Sequence, residues 1–196
     1  MDLEQIRGAV GTAAHRMLVQ KVAERSLTLI TNKGFFPTSS AKLGPAVHVS
    51  IQKNDVEPAA VAAAAKLKAA LPIERTFVIR PDSDPAVSRE SLSAAARART
   101  VIVSLFNQRT VYVDNGPLAA KDQALVDALV DAKPDGVVVL SYGNPYVANH
   151  IPRAAAFVVG YGEGGYYGNQ IIYADAFIRL LKGEIAATGK LPVRLP

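Results

Sequence analysis

Two uninterrupted apolar runs, Thr100-Val-Ile-Val-Ser-Leu-Phe106 and Val137-Val-Val-Leu-Ser141, constrain this chain more than any other feature. Each is short and rich in β-branched residues, which favours a strand over a helix. Neither alternates with polar residues. A strand of that kind is covered on both faces, as in the interior of a parallel sheet. Further extended segments are predicted at residues 46–51, 75–80 and 154–159, with a short extended piece at 26–31. Helical patterns fall between them. Residues 12–24 repeat Ala14, Met17, Leu18 and Val22 at helical spacing. Residues 56–71 are Ala-rich, with Asp55 as the N-cap. A helix over 88–96 starts at Ser88, and residues 118–132 carry the stripe Leu125, Val126, Leu129 and Val130. Residues 169–181 form the closing helix, followed by a turn-rich tail that ends in a short extended segment.

Strands that alternate with helices of this length imply right-handed crossovers. The fold class expected is therefore α/β: a three-layer sandwich with a mostly parallel sheet of about five or six strands and helices on both faces. The 196 residues are read as one domain, with residues 1–40 as an N-terminal helix and lead-in.

Composition narrows the chemistry. There is no cysteine, so disulfides, thiolate metal sites and thiol nucleophiles are excluded. His15, His48 and His150 are too far apart for a local metal motif, and neither a metal nor another cofactor is expected. The net charge is +5, but the 22 Lys and Arg are spread singly and no two are adjacent. A nucleic-acid footprint is normally a cluster, so no nucleic-acid partner is expected. The opening Met-Asp-Leu-Glu lacks the apolar core of a signal peptide. No apolar run approaches the roughly 20 residues that span a bilayer. Neither a membrane association nor a particular compartment is read from the chain.

Five pieces in fixed order carry a resemblance. They are Val22-Ala-Glu-Arg-Ser-Leu-Thr-Leu-Ile-Thr-Asn32, the strand Val101–Phe106, Leu118-Ala-Ala-Lys-Asp-Gln123, Val137-Val-Val-Leu-Ser-Tyr-Gly-Asn-Pro-Tyr146 and Gly183-Glu-Ile-Ala-Ala-Thr-Gly-Lys-Leu-Pro-Val193. Together they resemble the C-terminal domain of family 3 glycoside hydrolases of the bacterial β-N-acetylhexosaminidase type. The resemblance implies an accessory domain that packs on a catalytic TIM barrel and shapes the carbohydrate cleft. It also implies that the nucleophilic Asp and a His–Asp acid/base pair lie on the barrel. A TIM barrel takes roughly 250 residues, which this chain cannot hold. In the glucosidase branch a Glu of the C-terminal domain serves as acid/base. The matching loop here, 107–116, has no Glu, and Asp114 is its only carboxylate. No catalytic residue is therefore assigned, and the domain is expected to be inactive alone.

Candidate contact residues follow from the fold class. Open α/β sheets bind ligands beyond the carboxyl ends of their strands. Asn107, Arg109, Asn144, Tyr146, Tyr161 and Glu163 fall there, with Tyr166 in the last of these loops. Their role is either contact with a sugar or a partner domain, or the capping of their own loops. Six of the seven Tyr lie in segments 106–113, 142–147 and 161–167. Tyr suits half-wet interfaces, so this edge is the expected docking face, and an exposed one would favour self-association. A rival reading is a free-standing, flavodoxin-like binding module for a sugar or nucleotide, drawn from the Gly-rich turn Gly160-Tyr-Gly-Glu-Gly-Gly165. That turn comes late in the chain and lacks the acidic residue about 20 positions on that a dinucleotide site needs.

Overall fold

A computed structural model describes residues 9–53, 58–106, 118–162 and 172–195. In chain order these form α1 (Ala13–Ser26), β1 (Thr28–Asn32), α2 (Ser40–Leu43), β2 (Ala46–Gln52), α3 (Pro58–Ala70), β3 (Ile73–Ile79), α4 (Pro85–Arg97), β4 (Thr100–Phe106), α5 (Ala120–Ala132), β5 (Val137–Ser141), a 3-10 turn (Pro145–His150), β6 (Ala156–Val159) and α6 (Ile172–Lys182). The strands make one six-stranded sheet in the order β1-β6-β5-β4-β2-β3. All pairings are parallel except that of β1 with β6. The α/β class and the mostly parallel sheet expected from the sequence are what the chain adopts.

Strand alternation divides the core in two. Val47, Val49, Val101, Val103, Val137, Val139 and Phe157 face α4 and α5, whose Ala94, Ala95, Leu125, Val126 and Leu129 fill that layer. Ile102, Phe106, Val138, Leu140 and Val158 face the other way, under α1, α3 and α6. On that side Ala60 and Ala63 let α3 approach the sheet closely. β2, β4 and β5 are buried along their whole length, as their lack of alternation requires. β3 is an edge strand: Phe77 and Ile79 are buried but Val78 only partly.

Three local readings change. α4 begins at Pro85 rather than Ser88, because Asp84 caps it: its carboxylate accepts from the Ala86 N–H at 2.7 Å, and Pro85 occupies the first turn. The tail after α6 forms no strand among its described residues. The third concerns α1. Its apolar repeat is real, but the helix buries only Ala23 against the body, and Met17, Leu18 and Val22 face outward. The expected N-cap Asp55, the extension at 111–113 and the first residues of the closing helix lie outside the described residues.

A polar row interrupts the α3-side core. His48, Ser50, Gln52 and Ser104 are all buried. His48 Nε2 lies 2.9 Å from Ser104 Oγ, and Gln52 Nε2 donates to Ser50 Oγ at 3.3 Å. Burial lowers the His48 pKa from 6.5 to about 4, so the ring is neutral in the fold. The unfolded chain takes up this proton near pH 6.5 and the folded chain only near pH 4. Stability is therefore full above that window and falls as pH drops through it, by about 1.4 kcal/mol per unit. Between pH 7 and pH 4.5 the parent should lose about 2.5 kcal/mol more than a His48→Gln chain. Urea unfolding at the two pH values measures this. Equal losses in both chains would show that His48 is not the group that titrates.

Candidate functional site

The carboxyl ends of the parallel strands gather the polar groups of one edge. β5 ends at Ser141 and runs through Tyr142-Gly-Asn144 into the 3-10 turn, and β6 ends at Val159 and runs into Gly160-Tyr161-Gly162. Asn144 is held by its own turn: its Oδ1 accepts from the Tyr146 N–H at 2.9 Å, with Pro145 setting the first backbone angle. That cap leaves Tyr146 43% exposed on the surface of the turn. The far end of the turn is tied to α5, where Gln123 Nε2 donates to the His150 carbonyl at 2.8 Å.

Tyr161 is half-buried and has a structural partner. Its hydroxyl donates to Thr28 Oγ1 at 2.7 Å, and Thr28 Oγ1 donates to the Ser26 carbonyl at 2.9 Å. This ties the loop after β6 to the start of β1. Gly160 beside it has no room for a side chain, since a Cβ would lie 2.5 Å from the Tyr173 ring.

The edge thus brings Asn144 and Tyr146 together on one turn and sets Tyr161 on the neighbouring strand end. Asn107, Arg109, Glu163 and Tyr166 lie outside the described residues. Tyr142 is not part of the surface. It is wholly buried, stacked on Phe106 at 4.3 Å and edge-on to Phe177 at 4.9 Å. Phe106 and Val147 are buried too, so those parts of the expected docking face belong to the core.

Sequence reasoning passed over Asp122, in the first turn of α5. Burial raises its carboxyl pKa, and the Lys121 charge partly opposes the shift. Lys121 itself reaches back to the Arg80 and Pro81 carbonyls at 2.8 and 2.6 Å. An acid in a helix's first turn is ordinarily a partner for the helix dipole, so nothing in the residue pattern signals its burial. Among the described residues no three His, Asp or Glu side chains are placed to hold a metal ion.

The arrangement is that of an open α/β sheet with Asn144, Tyr146 and Tyr161 at its carboxyl edge. Comparison with solved structures places the fold more narrowly. A glycoside hydrolase family 3 β-N-acetylglucosaminidase from Paenibacillus sp. str. FPU-7 matches with a TM-score of 0.71 and 23% identity, over 95% of this chain and 34% of its own. A fungal multi-domain family 3 β-N-acetylglucosaminidase, which carries a GCN5-related glucosamine N-acetyltransferase region, matches at 0.69 and 22%, over 100% and 20%. A β-glucosidase involved in saponin metabolism from intestinal bacteria matches at 0.69 and 14%, over 100% and 35%. The chain has the fold of one portion of these enzymes and spans between a fifth and about a third of their length. No protein-family profile matches the sequence, and no curated protein matches it at a significant level.

Proposed function

We propose that this chain serves as the accessory C-terminal domain of a family 3 glycoside hydrolase of the β-N-acetylhexosaminidase type. It packs on a catalytic barrel and forms one wall of the carbohydrate cleft. The observation that carries this reading is the Paenibacillus match, in which nearly the whole chain overlays one third of a β-N-acetylglucosaminidase. The ordered sequence pieces, from Val22–Asn32 to Gly183–Val193, point the same way.

In this reading the carboxyl edge of the sheet meets the barrel and the sugar. Tyr146 offers an exposed ring, and aromatic faces pack on the apolar face of a pyranose while the hydroxyl stays wet. Asn144 fixes the turn that presents it. Asn107, Arg109, Tyr161, Glu163 and Tyr166 complete the contact set. Glycosidases of this kind need a pair of groups flanking the scissile bond. Here both come from the barrel, and the chain contributes positioning and exclusion of water rather than a reacting group.

The purified chain should therefore release no nitrophenol from nitrophenyl N-acetyl-β-glucosaminide above a protein-free blank. Turnover that persists through repurification would mean that these 196 residues hold a complete catalytic site, and the accessory role would fail.

A further inference from the structure

Five of the eight exposed large hydrophobics among the described residues lie on α1 or just before it: Val10, Met17, Leu18, Val19 and Val22. Residues 13–19 are exposed without exception. Met17, Leu18 and Val19 are consecutive, and each residue of a helix is turned about 100° from the last. Their side chains therefore leave on three sides, so the first half of α1 stands clear of the body. The second half packs on α6 through Ala23. Leu18, Lys21, Val22 and Arg25 recur at i, i+3, i+4 and i+7 and share the face away from Ala23. The one carboxylate of α1, Glu24, is engaged by Arg179 and Gln20. The outward face is thus apolar, with charges of one sign.

We infer that α1 is a second part of the contact with the catalytic barrel, seated in an apolar groove whose rim carries carboxylates. The inference rests on the accessory role and adds what the partner must offer and where. Continuity favours this occupant. α1 ends at the carboxyl edge: Thr28 pairs with Val159, the last residue of β6, and its Oγ1 accepts from the Tyr161 hydroxyl at 2.7 Å. Leu18 lies only about 12 Å along the helix from Ser26, so one partner can cover the edge and the helix together. Area favours it too. With Phe106, Tyr142 and Val147 in the core, Tyr146 is the one exposed large hydrophobic of that edge among the described residues. A contact between domains buries about 600–1,500 Å², and α1 supplies the apolar surface that the edge lacks. Shape decides for a groove, because a flat surface cannot reach apolar side chains on three sides of one helix. The chain covers 34% of the Paenibacillus enzyme, so most of that protein lies outside the match.

The test pairs this chain with the Paenibacillus enzyme prepared without the third that it matches. Amides of residues 14–22 should exchange hydrogen at least about tenfold more slowly in the complex than in the free chain. Leu18→Gln combined with Val22→Gln should weaken binding at least about tenfold and leave the unfolding midpoint unchanged. Val61→Gln, on the exposed side of α3, should bind like the parent. Lys21→Glu combined with Arg25→Glu should weaken binding by a similar factor and flatten its dependence on salt. If the parent binds but residues 14–22 gain no protection, or if the double Gln chain binds as tightly as the parent, α1 is outside the contact. The accessory role then stands on the carboxyl edge alone. If the charge-reversed chain binds as tightly as the parent, the acidic rim is wrong. If the parent does not bind, this inference and the accessory role fall together.

Discussion

Tyr142→Ala should lower stability by about 4 kcal/mol, a large share of the 5–15 kcal/mol that holds a domain of this size together. The ring is fully buried and touches three elements: it continues β5, stacks on Phe106 at the end of β4 and meets Phe177 of α6 edge-on. Removing it forfeits the transfer energy of a large aromatic side chain. It also leaves a cavity that two strands and a helix cannot close without shifting the sheet. Tyr146→Ala, four residues on and exposed, should change stability by less than about 0.5 kcal/mol. Urea unfolding of both variants at neutral pH reads the difference as a shift in midpoint. A Tyr142→Ala loss below about 1 kcal/mol would mean the aromatic cluster does not form.

The second large effect is expected where α6 ends. Gly183 takes φ +77, and its N–H and that of Glu184 return to the Leu180 and Arg179 carbonyls at 3.0 and 2.9 Å, closing the last turn. A Cβ there would lie 2.3 Å from the Thr38 carbonyl oxygen. Gly183→Ala therefore meets two penalties, a left-handed backbone that a side chain disfavours and a clash with main chain that cannot swing aside. The loss should be about 3 kcal/mol. Gly34→Ala makes a useful comparison. It also has positive φ, +88, but a methyl group there would meet nothing within 4 Å, so it should cost about 1–2 kcal/mol. Equal losses at the two sites would show that crowding against Thr38 contributes nothing.

These two residues show what was legible in the sequence and what was not. The strands Thr100–Phe106 and Val137–Ser141 could be read residue by residue, because burial on both faces removes the polar alternation that blurs other strands. The closing Gly183…Gly189 pattern was legible as a resemblance. Its physical basis is now plain: each glycine backs onto main chain, Gly183 on Thr38 and Gly189 on Ser26, where a Cβ would lie 2.2 Å from the carbonyl oxygen. Tyr142 was misplaced because it stands one residue past a strand end, where composition cannot separate a surface Tyr from a core one. α1 was half legible. Its spacing marked the helix, but periodicity reports that a face is apolar and not what covers it. The buried pairing of His48 with Ser104 joins positions 56 residues apart in sequence, which only the β2–β4 register brings together. Asn144 and Tyr146 were expected just beyond a strand's carboxyl end, and that is where the chain sets them.

The accessory role is tested most directly by titrating this chain onto the Paenibacillus β-N-acetylglucosaminidase prepared without the third that this chain matches, while hydrolysis of nitrophenyl N-acetyl-β-glucosaminide is followed. Saturable binding with a rise in hydrolysis is the expected result, and Tyr146→Ser should weaken it at least about tenfold without changing the unfolding midpoint. If that shortened enzyme neither binds the chain nor changes its rate, or if Tyr146→Ser docks as tightly as the parent, the carboxyl edge is not a barrel-facing surface and the proposed role fails.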